Sequence, residues 1–161
     1  MATATKPGVT TYTTPTDREV VITRVVDAPR RLVFAAWTDP KHIPNWLGFE
    51  EWTMPVCELD LRPGGAWRYG WRSPDGSEMT MGGLVREVTP PERLVTTERW
   101  GPEWPETVNT LTLTESGGRT TVTLTITYPS KAARDAALET GMKDGMDLSF
   151  ARLDRLVQTL A

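Results

Sequence analysis

The chain has 161 residues, 39% hydrophobic and 24% charged, with a net charge of −3, one histidine and one cysteine. That length suits one domain able to hide roughly 70% of its unfolded-chain surface. The mildly acidic balance without a basic run argues against nucleic acid or a basic membrane-surface helix as partner, and a lone Cys57 precludes an internal disulfide and fits a reducing, cytoplasmic compartment.

Residues 1–17 are rich in Thr, Ala and Pro without a period, and read as a flexible tail ahead of a single domain at 18–161. They lack the apolar core of a secretory signal, and no stretch approaches the 18 apolar residues of a membrane span. Residues 19–26 are β-branched and predict a strand. Asp27, Ala28 and Pro29 stop it and start a helix with Val33, Ala36 and Trp37 at helical spacing; Asp39 and Pro40 open a second short helix to about Trp46.

Six further strands follow, at 52–61 (bent at Pro55), 66–72, 78–88, 93–100, 106–114 and 119–128. Turn signals at Pro63–Gly65, Ser73–Gly76, Pro90–Pro91 and Ser116–Gly118 separate most of them, the pattern of an antiparallel meander. Ser130 then caps a long last helix, whose stripe of Leu138, Met142, Met146, Phe150, Leu153, Val157 and Leu160 runs about six turns. Gly141 and Gly145 lie on one side of it, and close packing of a neighbour is the favoured reading of that pair.

Alternation puts Trp67, Tyr69 and Trp71 on one strand face with Arg68 and Arg72 opposite, so the aromatic face turns inward. Alternation likewise turns Met79 and Met81 inward, with Asn109, Leu111 and Leu113, and with Val122, Leu124, Ile126 and Tyr128. Seven tryptophans in so small a chain need a structural reason, and Trp with Met makes good wall material for an adaptable apolar cavity. A filled core is the competing reading.

Several stretches resemble a known family. They are residues 25–40 (VVDAPRRLVFAAWTDP), 61–65 (LRPGG), 74–76 (PDG), 88–95 (VTPPERLV) and 140–146 (TGMKDGM). In order and spacing the chain resembles the SRPBCC, or START-like, superfamily, and within it the branch named for the C-terminal domain of Aha-type activators of the Hsp-90 chaperone ATPase. The resemblance implies an α+β helix-grip fold: a six- to seven-stranded antiparallel sheet curled around a long C-terminal helix, with two short helices after the first strand. It also implies a pocket for a small apolar molecule between sheet and helix. Where the family often has two tryptophans followed by Gly-Pro, this chain reads Trp46, Leu47, Gly48, Phe49, so that lip of the pocket differs in shape.

The expected ligand-binding walls are Trp46, Phe49, Trp67, Trp71, Met79, Met81, Trp100, Met142, Met146 and Phe150, with Asn109 or Tyr69 orienting the ligand. Glu98 would be a carboxylate inside the pocket if Thr96, Glu98 and Trp100 face inward, but an ion pair with Arg99 or Arg86 on the sheet surface is the favoured reading. His42 reads as a surface residue and Cys57 as a small hydrophobe. No metal spacing and no phosphate loop is visible, so no cofactor and no catalytic residue is expected. The leading function is binding of a small, largely apolar ligand. The alternatives are a chaperone-regulating interaction protein and a polyketide cyclase- or aromatase-like enzyme. An exposed sheet edge would support a homodimer.

Overall fold

Eight β-rich segments pair into one antiparallel sheet in the computed structural model, which describes residues 6–161. They are β1 (Thr10–Thr13), β2 (Glu19–Val26), β3 (Thr53–Leu59), β4 (Ala66–Arg72), β5 (Glu78–Thr89), β6 (Arg93–Glu98), β7 (Thr107–Ser116) and β8 (Arg119–Thr127). Three helices join them: α1 (Arg30–Thr38), α2 (Lys131–Leu138) and α3 (Met142–Leu160). The spatial order is β1-β2-β8-β7-β6-β5-β4-β3, so the early strand β2 pairs with the last strand β8 near the β1 edge, and the meander β3–β8 supplies the rest.

The strand count exceeds the expected six or seven because of β1. Part of the stretch read as a loose tail pairs with the free edge of β2, Thr10 opposite Arg24 and Thr13 opposite Val21; residues 1–5 of that stretch lie outside the described residues. The short sequence TTYT buries little and shows no alternation, so it carries no strand signal of its own. The second short helix shrinks to one 3-10 turn, Ile43–Asn45, around Pro44, whose missing N–H cannot continue a helix. Pro55 bends β3, where the register with β4 shifts between Thr53 and Val56.

The expected long last helix is two helices. Ser130 does cap the first, accepting a 3.1 Å hydrogen bond from the Ala133 amide. Gly141 then adopts φ +80°, a left-handed conformation that breaks the run and re-aims the chain into α3. Close packing does not explain the glycine pair: nothing lies within 4 Å of a Cβ added at Gly141, and only Phe49 Cε1, at 4.0 Å, approaches one at Gly145.

Helix α3 is fixed unevenly along its length. Its second half is sealed into the core, with Phe150, Leu153 and Val157 fully buried, each contributing roughly 1.5–3 kcal/mol. Beneath Phe150 the buried Arg24 guanidinium of β2 stacks 5.5 Å from the ring and bonds Asp154 at 2.5 Å. In the first half Met142 and Met146 are only half-buried. That half is held from outside the core: the Tyr12 hydroxyl of β1 lies 2.6 Å from Asp147 Oδ1 and 3.0 Å from the Lys143 carbonyl. At the middle, Ser149 Oγ accepts from the Gly48 amide at 3.1 Å.

The two glycines should respond oppositely to alanine. Gly141→Ala strains a left-handed backbone and should cost about 1–2 kcal/mol; Gly145→Ala has room and gains helix propensity, so it should stabilise by about 0.5–1 kcal/mol. Urea midpoints of the two variants check this, and equal signs would contradict the geometry.

Candidate functional site

Because β4 alternates, Trp67, Tyr69 and Trp71 all point to the concave side of the sheet. Strand register carries that face onward: Met79 opposite Trp71, Met81 opposite Tyr69, Thr96 opposite Asn109, Leu111 opposite Leu124. Where the first half of α3 stands clear of this face, a cavity of about 510 Å³ remains, a size in the range of small-molecule sites. Met142, Gly145, Met146 and Ser149 of α3 line one side of it. Phe49, Trp100 and Trp104 line it while being 38%, 37% and 37% exposed, and so form its rim.

Five of the seven tryptophans line this space: Trp37, Trp67, Trp71, Trp100 and Trp104. Three of their indole N–H groups are already committed to the protein. Trp67 Nε1 donates to the Thr97 carbonyl at 3.0 Å, Trp71 Nε1 to the Leu47 carbonyl at 3.3 Å, and Trp100 Nε1 to Glu98 Oε2 at 2.8 Å. Those rings therefore offer the cavity π surface rather than donors. They are ordered against one another, Trp67 on Tyr69 at 4.8 Å and Trp71 parallel to Trp100 at 5.7 Å between centroids. Gly48 permits this: a Cβ there would come within 2.4 Å of Trp71 Nε1.

Of the residues expected to form the walls, Phe49, Trp67, Tyr69, Trp71, Met79, Met81, Trp100, Asn109, Met142 and Met146 do line the cavity. Trp46 and Phe150 do not. Trp46 is 1% exposed, packs 4.8 Å from Trp37 and donates to the Ala36 carbonyl at 2.8 Å. Phe150 lies one turn beyond Met146, where α3 has already met the core, between Trp37 and Arg24. Trp37 and Trp104 are walls that sequence reasoning missed. Trp37 shares the helical stripe of α1 with core residues, and Trp104 sits in a loop with no period to place it.

The largest correction concerns Glu98. It makes no surface ion pair with Arg99 or Arg86; its carboxylate faces the cavity with Thr96 and Trp100. Asn109, a diagonal neighbour on β7, donates to Glu98 Oε1 at 2.9 Å and accepts from Thr107 Oγ1 at 3.1 Å. Burial pushes the Glu98 carboxyl above the usual carboxylate range, against the opposing pull of the Trp100 and Asn109 hydrogen bonds. The same burial raises the Tyr128 phenol to about 12 and the Tyr69 phenol further, so both are neutral donors.

The remaining candidates fall away from this space. His42 is half-buried, its Nε2 3.9 Å from Asp39, and it does not line the cavity. Cys57 is half-buried on β3, where burial pushes its thiol up and disfavours the reactive thiolate. Among the described residues no group of three His, Cys, Asp or Glu side chains is placed to hold a metal ion, and no helix is long and apolar enough to cross a membrane.

A family profile described as Activator of Hsp90 ATPase homolog 1-like protein matches residues 27–158. Similar solved structures include a Rhodobacter sphaeroides protein, 27% identical, with a TM-score of 0.88 over 95% of this chain and 100% of that one. The Mycobacterium smegmatis protein Ms6760 is 25% identical, with a TM-score of 0.83 over 92% and 96%. DynU16, a protein of the dynemicin biosynthetic locus, is 26% identical, with a TM-score of 0.68 over 90% of this chain and 48% of that one. No curated protein shows significant similarity.

Glu98 should leave a signature in stability. A carboxyl whose folded pKa is raised contributes stability below its unfolded value, and that contribution is lost as pH rises through the folded value. Wild type should therefore lose stability relative to Glu98→Gln as pH rises from about 4. Thermal melts of both across pH 4–8 test this; a Tm gap that stays constant would contradict a raised pKa.

Proposed function

The chain belongs to the family of Activator of Hsp90 ATPase homolog 1-like proteins, and from that premise we propose that it binds a small, largely apolar ligand in the space between the sheet and α3. The observation that carries this reading is the 510 Å³ cavity, whose walls are chiefly indole, phenol, thioether and aliphatic side chains. The eight-stranded antiparallel sheet with its C-terminal helix fits the helix-grip arrangement that the family resemblance implies. Apolar burial would supply affinity at roughly 25 cal/mol per Å², less the cost of ordering the ligand. Met142 and Met146, unbranched and polarisable, let the helix side of the wall fit more than one shape.

A second reading is favoured by Glu98 alone. A carboxyl of raised pKa inside an apolar cavity is suited to proton transfer, so the same space would serve an acid–base enzyme of the cyclase or aromatase kind. The origin of DynU16 in a biosynthetic locus is compatible with that reading. The chaperone-regulator alternative draws on the family's name and on no feature of the cavity.

Nile red, a neutral apolar fluorophore, tests the leading reading. It should bind saturably and quench tryptophan emission, since five indoles surround the space. Met146→Trp fills the cavity from α3 and should weaken binding at least about tenfold while leaving cooperative unfolding intact. Unsaturable binding, or equal affinity in the filled variant, would contradict a cavity site.

A further inference from the structure

The cavity's polarity is one-sided. Among the described residues Glu98 is the one carboxylate on its walls, and no Lys, Arg or His lines it. Three cations of α3 and β2 are engaged with other groups. Arg24 bonds Asp154 under Phe150, Lys143 lies over the Tyr12 ring at 5.4 Å, and Arg152 donates to the Gly48 and Pro44 carbonyls. Glu98 thus receives two neutral hydrogen bonds and no counter-charge, although each carboxylate oxygen retains a free acceptor site. The indole N–H groups of Trp67 and Trp71 are tied back to backbone carbonyls, so these rings bring π surface and no free donor to the cavity.

The rim repeats the same sign. The rim segments 47–52 and 101–106 carry Glu50, Glu51, Glu103 and Glu106, all exposed, and neither segment contains a Lys or Arg. Arg152, bonded to the Gly48 carbonyl and near Glu50, offsets part of that charge, and a mouth with an acidic excess concentrates ligands of the opposite sign. An anionic ligand would meet the rim carboxylates, then the indole faces, then Glu98, all unfavourable. A neutral hydrocarbon would leave Glu98 desolvated and unpaired, a cost that a cation removes.

We propose that the ligand is a hydrophobic cation, with an ammonium or quaternary-ammonium head between Glu98 and the surrounding rings and an apolar body against the methionines of β5 and α3. This rests on the reading of the cavity as a ligand site and assigns its ligand class. Trp100, whose N–H edge bonds Glu98, and Trp71, stacked parallel to it at 5.7 Å between centroids, provide the cation–π surface. Asn109 positions the carboxylate by holding Oε1, leaving Oε2 to Trp100.

Titration of the purified protein with three probes of equal chain length decides the matter: octyltrimethylammonium, octan-1-ol and octanoate. The cation should bind at least about tenfold tighter than the alcohol, and octanoate weakest. Glu98→Gln should bring the cation down to the alcohol's affinity and leave the alcohol within about threefold. If octan-1-ol or octanoate binds as tightly as the cation, or Glu98→Gln leaves the cation unaffected, the ligand class is wrong while the cavity reading stands. If none of the three binds saturably, both fail. The order of affinities in wild type decides alone should the Gln variant not fold.

Discussion

Everything at the site depends on how α3 is fastened. One half is welded into the core by Phe150, Leu153 and Val157 and by the Arg24–Asp154 pair; the other half is suspended over the concave face of the sheet. A helix packed along its whole length would fill that space with its own side chains, and one fastened only at its end would fray. The suspended half is held from outside the cavity by Tyr12, which bonds Asp147 and Lys143, and at its inner end by the Ser149–Gly48 bond on the cavity's edge. Strand β1 therefore does more than extend the sheet, because it carries the tyrosine that holds the roof. The Gly141 turn lets α2 run separately, so that Ala133 and Ala137 of α2 border the space instead of continuing α3.

Within that frame the polar groups are few and tied together. Thr107, Asn109, Glu98 and Trp100 form one chain of hydrogen bonds across β6 and β7. The Trp100 N–H can only donate, so Oε2 stays an acceptor. A proton on Oε1 is met if the Asn109 amide turns its oxygen toward it while the Thr107 hydroxyl re-aims its proton to the Glu98 backbone carbonyl, 3.4 Å away. The site thus accommodates either charge state of Glu98 without leaving a buried donor facing a donor. What enters the cavity decides which state is stable: a cation favours the carboxylate, a neutral hydrocarbon the acid.

Much of this was legible from periodicity, and the failures have specific causes. Alternation in β4, β5 and β7 set Trp67, Tyr69, Trp71, Met79, Met81 and Asn109 on the face that lines the cavity, because strand period is rigid and one face must be apolar. Phe150 was misplaced because a helical stripe records which side of α3 is buried, not whether sheet or cavity lies opposite. Trp46 was misplaced because a single 3-10 turn has no period to read. Glu98 carried the right signal, since it shares a face with Thr96 and Trp100. An adjacent arginine offered a surface pair, and nothing in a sequence weighs that pair against a cavity formed by strands distant in the chain. Tyr12 lay in a four-residue strand whose pairing and roof contacts are both tertiary. The match to the family over residues 27–158 agrees with the fold expected from motif order, although that match leaves out β1 and β2.

The central claim is that the first half of α3 stands off the sheet and leaves an apolar space open. Diffraction from crystals pressurised with xenon tests it most directly, because xenon enters dry apolar cavities and displaces nothing that is well packed. The account predicts xenon density between Met146 and Trp71, in reach of the indole faces and away from Phe150. Met142 and Met146 closed down onto β4 and β5, with no xenon between them, would contradict it.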